Sequence, residues 1–152
     1  MNKVERGKRV LKCLAQQDGV IFCTDPTERT TAKRYLARMS EIFPDYIAQL
    51  DALYLYRQSE QSAPDWKRCD GMNTLKSNTA EGRLFRAIGL SVEALHDSPE
   101  YFKSVFIHEL AHIAVQEHGK KFNQTVTALR QIYQKRTGEP LTMEEMETPY
   151  QI

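Results

Sequence analysis

The chain has 152 residues, 41% of them hydrophobic and 27% charged, which suits one globular domain with a modest core and excludes a long multidomain assembly. Its formal net charge of +1 excludes a chain built chiefly to coat nucleic acid, and Cys13, Cys23 and Cys69, odd in number, far apart and without a C-x-x-C pair, exclude a disulfide framework or a thiolate zinc site. No apolar run approaches the ~20 residues of a membrane span, and the basic start MNKVERGKRVLK has no apolar core of the signal-peptide type, so the expected compartment is the cytoplasm.

Residues 4–16 read as a helix with Val4, Leu11 and Leu14 on one side. Its basic residues Lys3, Arg6, Lys8, Arg9 and Lys12 read as a solvated face, so nucleic acid is not an expected partner. A turn at Asp18-Gly19 and a short strand, VIFC, follow. Asp25-Pro26-Thr27-Glu28 combines an N-cap, a proline at the first helical position and a glutamate at N3. With Ala32, Tyr35, Leu36, Met39 and Phe43 at helical spacing behind it, a helix is predicted over 26–42. After Pro44 the segment DYIAQLDALYLYRQ is ambiguous in its first half and suits a strand in its second, rich in Tyr and Leu. Residues 58–82 are polar, with Pro64, Gly71 and Gly82, and read as a long loop or flap carrying a short strand near Met72 to Leu75. RLFRAIGLSV then alternates Leu84, Arg86, Ile88, Leu90 and Val92 against Arg83, Phe85, Ala87, Gly89 and Ser91, a period of two that predicts a strand.

Ser98 and Pro99 open the next helix as N-cap and first residue, and Phe102, Val105, Phe106, Ile107, Leu110, Ala111, Ile113, Ala114 and Val115 wrap most of its circumference. Such a helix is buried, and it takes His108, Glu109 and His112 inside with it, which is costly unless a cation pairs with them. His108 and His112 lie one turn apart on one face, within reach of a single ion, while Glu109 is rotated by about 100 degrees and can touch a metal-bound water without ligating the metal. This is the H-E-x-x-H arrangement, in which zinc lowers the pKa of bound water to about 7 and a carboxylate moves the proton to the leaving amine. In a continuous helix His118 would sit roughly 9 Å along the axis from His112, so the chain must turn before it; Gly119 is the expected stop. A further helix follows with Phe122, Val126, Leu129 and Tyr133 on one stripe, and residues 137–152 form a C-terminal tail. The spacing H-E-x-x-H-x5-H also occurs in metzincins, whose glycine three after the second histidine is replaced here by Val115, a residue unsuited to a left-handed backbone. Met143 and Met146 accordingly read as helix packing rather than a Met-turn.

HELAH followed by HGKKF resembles the SprT-like and WLM-type minimal zincins, whose pattern is H-E-x-x-H, a short spacer and H-G/S-x-x-F/W; the preceding AIGLSVEAL resembles their strand into the metal helix. The resemblance covers roughly residues 83–130. It implies an α+β, zincin-like fold with a small mixed sheet packed on a buried metal-binding helix. It also implies zinc held by His108, His112 and His118, Glu109 as general base, and an edge strand, placed here at Gly89, Leu90 and Ser91, that pairs with an extended protein or peptide substrate. SprT-like proteases often carry a DNA-binding module; the sequence shows none, so cleavage of DNA-bound proteins is not part of the expectation.

Two other readings stand beside the peptidase. One is a zinc-stabilised binding or regulatory domain of the same fold without turnover, which the presence of Glu109 disfavours. The other is a gluzincin or ImmA/IrrE-type regulator-cleaving peptidase in which Glu117, Glu144 or Glu145 replaces His118. Tyr133 and Tyr150 are candidate phenols for the transition state, though each reads more simply as a core or surface tyrosine.

Overall fold

The computed structural model describes residues 20–22, 26–60, 69–78 and 83–141. The helix expected over 4–16, the cap at Asp25, and Met143, Glu144, Glu145, Met146 and Tyr150 in the C-terminal tail lie outside these.

Strand β1 (Val20–Phe22) is followed by helix α1 (Pro26–Ile42), a single turn α2 (Pro44–Ile47) and strand β2 (Ala52–Tyr56). Strands β3 (Gly71–Asn78) and β4 (Arg83–Ser91) come next, then the short α3 (Val92–Leu95), α4 (Pro99–Ala114) and α5 (Lys120–Thr137). The four strands form one sheet in the order β1-β2-β4-β3. β1, β2 and β4 run parallel and β3 is antiparallel to β4, so the sheet is mixed. No helix among the described residues is long and apolar enough to cross a membrane.

β2 is buried along its whole length, as an interior strand of a parallel array should be. Its alternation sorts the two faces of the sheet. Leu53 and Leu55 join Ile88 and Leu90 of β4 under the helices, in a core with Met39, Phe102, Phe106, Ile107 and Leu110. Ala52, Tyr54, Tyr56 and Ala87 form a second cluster on the other face, with Met72 against it. Gly89 is bare so that the Tyr54 ring can lie across it: a Cβ there would stand 2.4 Å from Tyr54 Cζ.

The helices begin and end for identifiable reasons. α1 starts at Pro26 as predicted, and the buried carboxylate of Glu28 reaches Arg57 Nη2 at 3.2 Å and His96 Nε2 at 2.5 Å, tying α1 to the residues after β2 and α3. α4 is capped by the Ser98 hydroxyl, which accepts from the Tyr101 amide at 3.1 Å, with Pro99 at its first position. α5 ends at Gly138 in the left-handed conformation, whose N–H donates to Gln134 O at 2.8 Å.

Two expectations change. The strand expected near Met72 to Leu75 is eight residues long, Gly71–Asn78, paired in register from Gly71↔Leu90 to Asn78↔Arg83. Its polar composition hides it from any search for alternation; pairing with β4 makes it a strand. In consequence β4 is not an edge. Gly89 pairs with Tyr54 and Met72, Leu90 with Leu55 and Gly71, and Ser91 with Tyr56 while its N–H donates to Asp70 O. The backbone groups of Gly89, Leu90 and Ser91 are engaged within the sheet, so the edge position expected of them is corrected. Among the described residues the open edge on this side is β3.

Tyr133 belongs to the core. It is fully buried, and its hydroxyl donates to Glu139 Oε2 at 2.8 Å, so it holds the end of α5 rather than facing the histidines. Lys103 Nζ meets the other oxygen of Glu139 at 2.8 Å and Arg38 Nη2 approaches at 3.5 Å, joining α1, α4 and α5. Hydrogen bonds from Lys103 and Tyr133 hold the Glu139 carboxyl down at about 2. In the unfolded chain it titrates near ~4.3, so this stabilisation is complete above that pH and is lost as pH falls from there towards 2. Because the side chain is 39% exposed, solvent screening leaves about 1 kcal/mol of it. Glu139→Gln should therefore lower the melting temperature by roughly 3 °C at pH 7, with the gap closing by pH 2. Thermal unfolding of both proteins at pH 7, 4 and 2 checks this, and an equal gap at all three would exclude it.

Candidate metal centre

α4 carries His108 and His112 one turn apart, with ring centroids 5.1 Å from each other, and both rings are buried, at 3% and 8% exposure. The helix does not run to Gly119. It stops at Ala114, where Val115 takes an extended conformation (φ −138°, ψ 109°), and α5 begins at Lys120. The expected stop at Gly119 is thus corrected, and the reason is local. His112 Nδ1 lies 3.2 Å from the Val115 carbonyl, which can only accept, so the ring donates through Nδ1 and its Nε2 lone pair is left for a metal. Gly119 itself is extended (φ 159°, ψ −167°) and is the N-cap of α5, its carbonyl accepting from the Asn123 amide at 2.9 Å.

The corner over residues 115–119 swings His118 back over the pair. Its ring centroid is 4.8 Å from that of His112 and 5.5 Å from that of His108. One ligand atom from each of His108, His112 and His118 lies within 4.8 Å of the other two, and these three alone make up the metal-competent cluster among the described residues. Glu117 is exposed and is not part of it.

Phe122, in the first turn of α5, is the floor of the group. Its ring stacks on His112 at 4.3 Å and 25°, and stands 4.9 Å from His108 and 5.0 Å from His118. The sequence shows Phe122 on the apolar stripe of its helix and as the last letter of HGKKF; that it touches all three imidazoles is a property of the corner.

Electrostatics favour the ligand form of His108 and His112. Burial lowers the basicity of His108 to about 3, with the neighbouring His112, His118 and Arg130 adding to the effect. Burial and His118 lower His112 as well, partly offset by hydrogen bonds to the Val115 and Gln116 backbone. Neutral imidazole is the species that binds a metal. Glu109, next to His108 and 2% exposed, has its carboxyl pushed up to about 8 by burial. An adjacent cation would favour the carboxylate. His108, His112 and His118 together offer three nitrogen donors that could hold one metal ion.

β3 closes the other side of Glu109. Asn73 Nδ2 donates to the Glu109 carbonyl at 3.1 Å, and Gly71 lies against the Glu109 side chain. Sequence reasoning missed both residues, since the only sign of them was a lone glycine in a polar stretch.

Residues 83–139 match the family described as YgjP-like, metallopeptidase domain. That stretch runs from the start of β4 to just beyond α5 and holds all three histidines and Glu109, in agreement with the SprT-like resemblance carried by HELAH and HGKKF. No curated protein and no solved structure matches the chain.

Proposed function

With residues 83–139 taken as a domain of a metallopeptidase family, we propose that the protein is a zinc-dependent peptidase in which His108, His112 and His118 hold the metal and Glu109 is the general base. The observation that carries the reading is the convergence of three imidazoles, two from α4 and one from the corner after it, with a buried carboxylic residue directly after the first of them. A zinc ion held there would supply the Lewis acidity that polarises a peptide carbonyl and brings the pKa of a water to about 7. Glu109 takes a proton from the attacking water as the new C–O bond forms, and returns it to the amide nitrogen as the C–N bond breaks.

The substrate lies, on this reading, along β3. The Ser91 N–H to Asp70 O bond marks Asp70 and Ser91 as a hydrogen-bonded pair of the antiparallel ladder, so the even-numbered residues of β3 point their backbone groups at β4. Gly71, Asn73, Leu75 and Ser77 turn theirs outward, where an extended peptide can add as a further strand beside Glu109.

The test is metal-dependent turnover. Purified protein should carry about one zinc per chain and cleave members of an unstructured peptide library, lose that cleavage on chelation, and recover it when zinc is returned. Stoichiometric zinc without cleavage of any peptide would favour a binding or regulatory domain, and a folded chain that takes up no zinc would overturn both.

A further inference from the structure

Gly138 occupies a left-handed conformation that side chains resist, but Gly71 does not: it lies within β3 with a backbone that any residue can adopt. Glycine is therefore at position 71 for room. A Cβ there would stand 2.6 Å from Glu109 Oε2 and 2.9 Å from both Cδ and Cγ, closer than real Cβ contacts allow. The conflict is with the whole outer half of the glutamate, which is 2% exposed, so the carboxylate must move if a side chain is placed at 71.

The strand cannot back away either, because it is pinned to α4 on both sides of Gly71. Just before it, the Asp70 carboxylate accepts from the Ser91 hydroxyl at 2.7 Å, the Gln58 amide at 2.6 Å and the hydroxyl of Tyr101, which lies on α4 about two turns before Glu109. Just after it, Asn73 donates to the Glu109 carbonyl. Strand and helix are held at a fixed separation, and the carboxylate is confined by the bare backbone between the two pins.

We infer that Gly71 is a positioning residue for Glu109: by presenting backbone alone, the edge strand sets where the carboxylate stands relative to the three histidines. The inference rests on Glu109 being the general base. Gly71→Ala should leave the metal ligands untouched, since the cheapest accommodation of the new methyl is movement of the Glu109 side chain. Zinc affinity should stay within about twofold of the parent, KM should change little, and kcat should fall at least ~10-fold, the usual scale for a reacting group displaced by an ångström or less.

The experiment is a double-mutant cycle read in two ways. In the metal-free proteins, Gly71→Ala should lower the melting temperature in the parent and cost little in a Glu109→Ala background, where the obstructing atoms are gone. In the zinc-loaded proteins, Glu109→Asp, shorter by one methylene, should lower kcat in the parent and lower it far less, or raise it, beside Gly71→Ala. If Gly71→Ala alone fails to fold, the Gly71→Ala/Glu109→Ala protein should fold. Failure of both to fold, equal melting losses in the two backgrounds, or an unchanged kcat for folded Gly71→Ala would each overturn the inference. Glu109→Gln in the otherwise unaltered chain is the separate arm: if it keeps full activity, the general-base reading falls and this inference with it, whatever the metal-free cycle shows of the contact itself.

Discussion

Glu109→Gln is expected to reduce peptide hydrolysis by at least ~100-fold, the lower end of what a positioned general base contributes, while zinc remains bound. Glutamine fills the same volume, so the contact with Gly71 and the bond from Asn73 to the residue 109 carbonyl both persist. His108, His112 and His118 are unchanged, and so is the Phe122 ring beneath them. Only the proton acceptor is removed. Burial already works against a charge at this position, so the neutral amide should fold at least as well as the carboxylate does. The kinetic constants and the metal content of the two proteins, measured side by side, decide it. Activity within a few-fold of the parent would assign the proton transfer to another group.

His118→Ala should weaken zinc binding by two orders of magnitude or more, roughly the scale of losing one of three protein ligands. His118 is exposed at the corner between α4 and α5, so its removal should leave the core intact and the loss should report on the metal alone. Glu117→Ala should stay within about twofold of the parent, because that side chain is exposed and outside the cluster. Alanine at Glu144 or Glu145 should act like the Glu117 variant. A competitive zinc titration of the four proteins separates the readings. Binding retained by His118→Ala and lost in a glutamate variant would favour the gluzincin arrangement.

Elements whose causes are local are legible in the sequence. Pro26-Thr27-Glu28 opens α1, Ser98-Pro99 opens α4, the alternation of RLFRAIGLS makes β4, and the Phe122, Val126, Leu129, Tyr133 stripe makes α5. The metal helix shows itself by the conflict between its apolar surround and the histidines within it. What was not legible depends on partners distant in the chain. β3 is a strand because β4 pairs with it, and β4 is interior because β2 and β3 both claim it, so the edge role fell to the wrong strand. The end of α4 at Ala114 is accompanied by a ring-to-carbonyl bond between His112 and Val115, which no propensity encodes. The closeness of Gly71 to Glu109 likewise appears only once strand and helix are assembled.

The same polar composition that conceals β3 has a consequence for how the protein lives in company. An open strand edge is a template on which a second copy of a chain can pair, and a long apolar one leads to aggregates. GMNTLKSN is a poor candidate for that: asparagine and glycine are weak strand formers, and a lysine in an edge strand disfavours pairing with another edge. Among the described residues nothing pairs with this edge, and its composition disfavours a second copy there. On the proposed reading, the same composition that discourages self-association would let a short extended substrate come and go without leaving the sheet permanently extended.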